Sequence, residues 1–234
     1  MGIKRVILLA VGVCGSVFAC WLLFLSGSNI YEMQSAIPVV AELEESAVRF
    51  PYAVPKTCLI LREIMVYEGA YLEDNSNEYV VDVAAAVIVN TAGKGIENAC
   101  VELKWAGGEY VFEVQMLPPG ETVLVLDKNR QKYINRNWIA CMGTQEYQAG
   151  EWSVDGGVVT EKDGLITAYN DTNENLQNIC IYFKTYLPEE QMYLGGIAYC
   201  FNMDQLPTGE KVQIRPYRYI SDYAKIVCVR AGNG

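Results

Sequence analysis

From residue 57 onward, apolar and polar residues alternate with a period of two in most of the ordered-looking stretches, the mark of half-buried strands rather than helices. Cys58 to Tyr67 is rich in β-formers and predicts an opening strand. From Tyr79, residues Val81, Val83, Ala85, Val87 and Val89 fall on one side and Asp82, Ala84, Ala86, Ile88 and Asn90 on the other. Ala84, Ala86 and Ile88 are small or aliphatic, so this second face is predicted to be partly covered too. Ala99, Val101, Leu103 and Trp105 then alternate against Cys100, Glu102 and Lys104. After turn residues at 106–109, Phe112, Val114 and Met116 return inward, and Val123 to Asp127 supplies another strand. Later, Val158 to Asn170 predicts a hairpin turning at Lys162-Asp163-Gly164. Ile179, Ile181 and Phe183 point inward with Cys180, Tyr182 and Lys184 opposite, and Ile197, Tyr199, Phe201 and Met203 return inward with Cys200 opposite. Short strands at this spacing, with turn signals between them, predict an all-β sandwich or barrel.

The pattern is written twice. NTAGKGIENACVEL at 90–103 recurs as NDTNENLQNICIYF at 170–183, and LPPGE at 117–121 recurs as LPTGE at 206–210. Two β-sandwich modules follow, 57–146 and 147–234. The Asn turns lie 80 residues apart and the LPxGE words 89, so the second copy carries about nine extra residues around Leu187 to Gly196. Binding concentrates in such excursions. Tyr186, Met192, Tyr193 and Leu194 are therefore a candidate binding surface, against the plainer alternative that the hairpin only lengthens a ribbon.

The amino terminus breaks the period. Val6 to Leu25 is an uncharged apolar run. At about 1.5 Å per residue it is roughly 30 Å long as a helix, matching a bilayer's hydrocarbon core. Residues 6–26 are predicted to be a transmembrane signal-anchor helix, so the lipid bilayer is the first expected partner. Lys4 and Arg5 precede the run, and no basic residue follows until Arg49. That bias places residues 1–5 in the cytoplasm and the body outside, on a single-pass protein of the cell membrane. Cleavage as a signal peptide near Ser26-Gly27-Ser28 would give a secreted form instead, and Cys20 is a poor lipoprotein acceptor because the apolar run continues beyond it. Residues 27–56, ending in Pro51 and Pro55, are expected to form a stalk.

Composition narrows the chemistry. The net charge is −10 and its only contributions before residue 27 are basic, so the body is more acidic still. An acidic body repels phosphate backbones, so nucleic acid is not an expected partner. The chain has no histidine, which removes imidazole-based triads, His-ligated zinc and imidazole acid-base work within one chain. No cofactor or metal is implied. Asp171 to Asn175 matches only the opening of a calcium loop, since Leu176 stands where Gly is needed. Tyr217, Tyr219 and Tyr223 suit half-buried strand positions better than a glycan site.

Six of the eight cysteines lie beyond the apolar run, and an exported body invites disulfides. Repetition of one staple would join Cys100 to Cys141 and Cys180 to Cys228; a bridge across the long hairpin would join Cys180 to Cys200. Free, packed thiols are the third alternative.

The word N-x(4)-[GN]-[IL]-x-N-x-C-[VI], an inward-alternating strand and then L-P-x-G-E resembles the FxLYD-type and CARDB-like domains of bacterial surface proteins. YLGGIAY at 193–199 is similar to membrane-anchored surface proteins of Firmicutes type. The Leu-Tyr-Asp signature is reduced here to Phe183-Lys184-Thr185-Tyr186. The resemblance covers about 57–127 and 158–231 and implies immunoglobulin-like sandwiches without a common chemistry. The expectation is two tandem immunoglobulin-like modules behind a membrane anchor, a non-enzymatic structural or binding protein of the envelope with a protein or glycan partner. An envelope hydrolase working through paired carboxylates is the alternative.

Overall fold

The computed structural model of the chain describes residues 48–147, 159–162, 165–217, 219 and 221–233. The predicted cytoplasmic tail, the transmembrane segment 6–26 and the stalk as far as residue 47 lie outside the described residues. What is described is nearly all β.

In chain order the strands are β1 (Tyr52–Ala53), β2 (Leu59–Ala70), β3 (Tyr79–Asn90), β4 (Ile96–Trp105), β5 (Gly108–Leu117), β6 (Thr122–Leu126), β7 (Ala140–Tyr147), β8 (Val159–Lys162), β9 (Leu165–Tyr169), β10 (Leu176–Leu187), β11 (Met192–Leu206), β12 (Lys211–Ile214) and β13 (Ala224–Asn233). They form three sheets, ordered β1-β2-β3-β6-β11-β10-β13, β5-β4-β7 and β12-β9-β8. The neighbour order repeats. β2-β3-β6 in the first half matches β8-β9-β12 in the second, and β5-β4-β7 matches β11-β10-β13.

Alternation decides which layer each side chain enters. Ala84, Ala86 and Ile88 of β3 and Val123 and Val125 of β6 pack with Val101, Leu103, Phe112 and Val114 of the β5-β4-β7 sheet. The other face of β3 and β6, with Val83, Ala85, Val87, Leu124 and Leu126, packs with Tyr71, Met192 and Leu194. Both faces of β3 are thus covered. A third cluster sets Ile179, Ile181 and Phe183 of β10 and Val229 of β13 against Ile166 and Ala168 of β9.

Two corrections concern boundaries. Residues 48–234 form one compact unit, and the seven-stranded sheet runs through both halves. Val48 and Val54, expected in a stalk, are buried in the first core, and Val48 N–H donates to Trp138 O at 3.1 Å.

The repeated words touch. Asn90 is fully buried; its Nδ2 donates to Lys94 O, Leu117 O and Pro118 O, and its backbone N–H donates to Glu121 O. Asn170 does the same, with Nδ2 donating to Glu174 O and Leu206 O and its N–H to Glu210 O. In each half the Asn side chain satisfies carbonyls that the turn leaves without a ladder partner, tying the turn to the LPxGE loop. That contact is a physical reason for the two words to recur together.

Candidate functional site: the seam between the halves

The two halves meet where β6 and β11 run parallel for two residue pairs, Val123 with Tyr193 and Leu124 with Leu194. The ladder between β10 and β11 then breaks. Phe183 pairs with Tyr199 but Thr185 pairs with Leu194, so Gly195 to Ala198 leave the register and their backbone groups need other partners.

Side chains supply them. Lys184 is fully buried, and its Nζ donates to Gln115 O at 2.9 Å and to Gly196 O and Ile197 O at 2.8 Å. Glu73, from the turn after β2, accepts the Gly196 N–H at 2.9 and 2.8 Å on its two oxygens and the Leu126 N–H at 2.9 Å. Gln115 Oε1 accepts the Ala198 N–H at 3.2 Å. Gly196 admits no side chain, since a Cβ there would lie 1.7 Å from Glu113 O. Gly195 adopts φ +81°, in the left-handed region that glycine favours.

Burial pulls the Lys184 ammonium well below the ordinary lysine value, with Glu73 opposing it. Burial likewise pushes Glu73 above the usual carboxylate range, against the pull of the Gly196 and Leu126 amides and of Lys184. A cavity of about 180 Å³ beside the pair is lined by Tyr71, Glu73, Asp74, Glu113, Gln115 and Lys128, room for a few waters. Lys184 commits three N–H donors to carbonyls, and Glu73 accepts from two backbone amides. Such an arrangement ties the strands on either side of the broken ladder together.

Asp127, a fully buried carboxylate, has a similar occupation. Asp127 accepts backbone N–H groups from Val111, Asn129 and Gln131. Burial raises its pKa against those hydrogen bonds.

The hairpin residues expected as an open binding surface lie at this seam. Tyr193 is buried and packs edge-on against Tyr186 with ring centroids 5.3 Å apart, while Met192 and Leu194 pack on the β3/β6 cluster. The extra hairpin length is spent on joining the two halves.

None of the six cysteines among the described residues is joined in a disulfide to another of them. The proposed Cys100 to Cys141 bridge is excluded by register: Cys100 pairs with Thr144 and Cys141 with Leu103, so the two side chains leave opposite faces of the sheet. Cys141 is buried in the core, where burial pushes its thiol up to about 11. Cys180, Cys200 and Cys228 lie on one face around Tyr182, which pairs with both Cys200 and Cys228. Cys180 sits diagonal to each, and neither the Cys180 to Cys228 nor the Cys180 to Cys200 bridge is formed.

The turn at Asp171 to Asn175 closes on itself through Thr172, whose N–H and Oγ1 both donate to Asn170 Oδ1. Of the late tyrosines, Tyr219 is core, whereas Tyr217 and Tyr223 are exposed. Tyr217 borders a hollow of about 500 Å³ with Phe183, Tyr199, Phe201 and Pro216.

Periodicity missed Glu73 and misplaced Lys184. The one available signal was the neighbouring residue: Cys100, Glu102 and Lys104 of the first copy become Cys180, Tyr182 and Lys184 in the second, an aromatic where a charge had been. No protein-family model matches the chain, and no curated protein matches it significantly.

Proposed function

We propose that the chain is a membrane-anchored extracytoplasmic protein of the cell envelope. Its two immunoglobulin-like modules, of FxLYD/CARDB-like type, form one rigid body with a structural or binding role. The observation that carries this reading is the seam: the buried Lys184 and the half-buried Glu73 are both committed to backbone groups of the joint. The matching neighbour orders of the two halves support the duplicated module, and the apolar run at 6–25 supports the anchor. A carboxylate hydrolase needs a carboxyl group free to act as acid and one free to act as base or nucleophile. Glu73 and Asp127 instead spend their oxygens on amides. A glycan or protein partner would be sought at the aromatic hollow beside Tyr217.

The test is topological. The full chain with a carboxy-terminal epitope is expressed in a bacterial host, and protease is added to intact cells. Loss of the epitope with retention of the chain in the membrane fraction is the expected result. An epitope protected until the cells are lysed overturns the reading.

A further inference from the structure

The seven-stranded sheet ends in an edge that the chain itself covers only in part. β1 pairs with β2 at Leu61 and Ile60, and no described strand pairs with the outer side of β2 from Arg62 to Ala70. Along that edge Arg62, Glu63, Met65, Val66 and Glu68 are exposed, with Met65 at 37% and Val66 at 52%. An edge of this length with apolar side chains in its middle is a template for another strand.

The order of residues on the edge says which strand. In a two-fold antiparallel pairing of β2 with itself centred on Met65, Met65 faces its own copy, Ile64 faces Val66 and Glu63 faces Tyr67. Arg62 faces Glu68, and the symmetry makes that opposite-charge pair twice. Shifting the centre to Ile64 or Val66 sets Arg62 opposite Val66 or Ala70 and loses both pairs. Arg62 makes no ion pair among the described residues, and Arg62 and Glu68 each fall at a register shift of β2, where neither has a partner on β3. Among the described residues Glu68 accepts the Tyr79 hydroxyl, at 2.5 Å.

We propose that the β2 edge is a self-association site, at which two copies of this chain pair antiparallel about Met65 and extend one sheet across the dimer. Such an interface is isologous, so it closes at two copies. It stands on the edge alone and does not depend on the anchor.

Charge reversal tests it with the full chain in detergent. Sedimentation equilibrium of the natural sequence gives a dimer at tens of micromolar. Arg62→Glu and Glu68→Arg each set like charges opposite and weaken the dimer at least tenfold, while the double variant R62E/E68R restores it. Circular dichroism unchanged in all three separates loss of pairing from loss of fold. Met65→Cys, directly on the two-fold axis, cross-links to dimer under mild oxidation, and Glu68→Cys does so far less. A monomer at all concentrations overturns the proposal. So does a dimer indifferent to both single reversals, which would place association elsewhere, or capture of a different protein's strand at an edge that does not pair with itself.

Discussion

Replacing Lys184 with Met removes three donors and one positive charge from the seam while keeping an unbranched stem of similar length. Gln115 O, Gly196 O and Ile197 O lose their shared partner, and Glu73 loses the cation that balances it. The adjoining cavity of about 180 Å³ can lend water to some of these carbonyls. A buried acceptor left without a donor costs about 1–3 kcal/mol. Three carbonyls share the Lys184 ammonium, and water entering from the cavity offsets part of their loss. We therefore expect K184M to lose about 3–5 kcal/mol, with hydrogen exchange speeding up first at the Gly196 and Leu126 amides. Urea unfolding of the full chain, read as a shift in midpoint at constant slope, measures it. Lys104 is the control, because it occupies the same place in the first copy but sits on an open face beside Glu102 and Glu109. K104M should leave the midpoint nearly unchanged. A loss below about 1 kcal/mol for K184M, or equal losses for the two lysines, would refute the idea that the seam depends on Lys184.

Other outcomes follow from single contacts. Gly196→Ala forces a Cβ into Glu113 O and should cost about 3 kcal/mol or more, with the loss appearing as reduced thermal stability. Asn90→Ala and Asn170→Ala each strip a buried latch of its donor and should cost about 2–3 kcal/mol by chemical denaturation, with similar values in the two copies. Cys141 makes an alkaline prediction: its thiol titrates near 9 when unfolded and at about 11 when folded, so its stabilising share is complete below pH 9 and lost as pH rises through 11. The loss should reach about 2–3 kcal/mol, by the equivalence of one unit to about 1.4 kcal/mol, and should be absent in Cys141→Val. Among the described cysteines, Cys141 and Cys228 should be alkylated by a maleimide only after unfolding.

Local pattern carried much of the fold and little of the seam. The strands around Tyr79 to Trp105 and Leu176 to Met203 were legible because a core on one side writes itself as period two. The covering of β3 on both faces was legible from Ala84, Ala86 and Ile88. Glu73 was not, because a turn carboxylate reads as solvated, and its partners lie 53 and 123 residues away. The Cys100 to Cys141 pairing failed for a related reason. Matching places in a repeat fix which strands are neighbours but not the register between them, and an offset of three residues puts the two thiols on opposite faces.

One residue type has two fates at matching places of the two halves. Lys104 and Lys184 stand at the same position of β4 and β10, one exposed beside carboxylates and the other sealed under the edge of the first half. Covering an outward face disfavours charges that find no partner. Where the first half has Glu102 the second has Tyr182, which packs against the first core and lies under the Arg230 guanidinium at 5.3 Å. Lys184 has been kept because Gly195 to Ala198 step out of the ladder and present carbonyls within its reach. The insertion in the second hairpin, the paired glycines and the buried lysine therefore make one device. Lengthening the strand lets it reach β6, reaching β6 breaks the ladder, and the broken ladder needs a cation on one side and a carboxylate on the other.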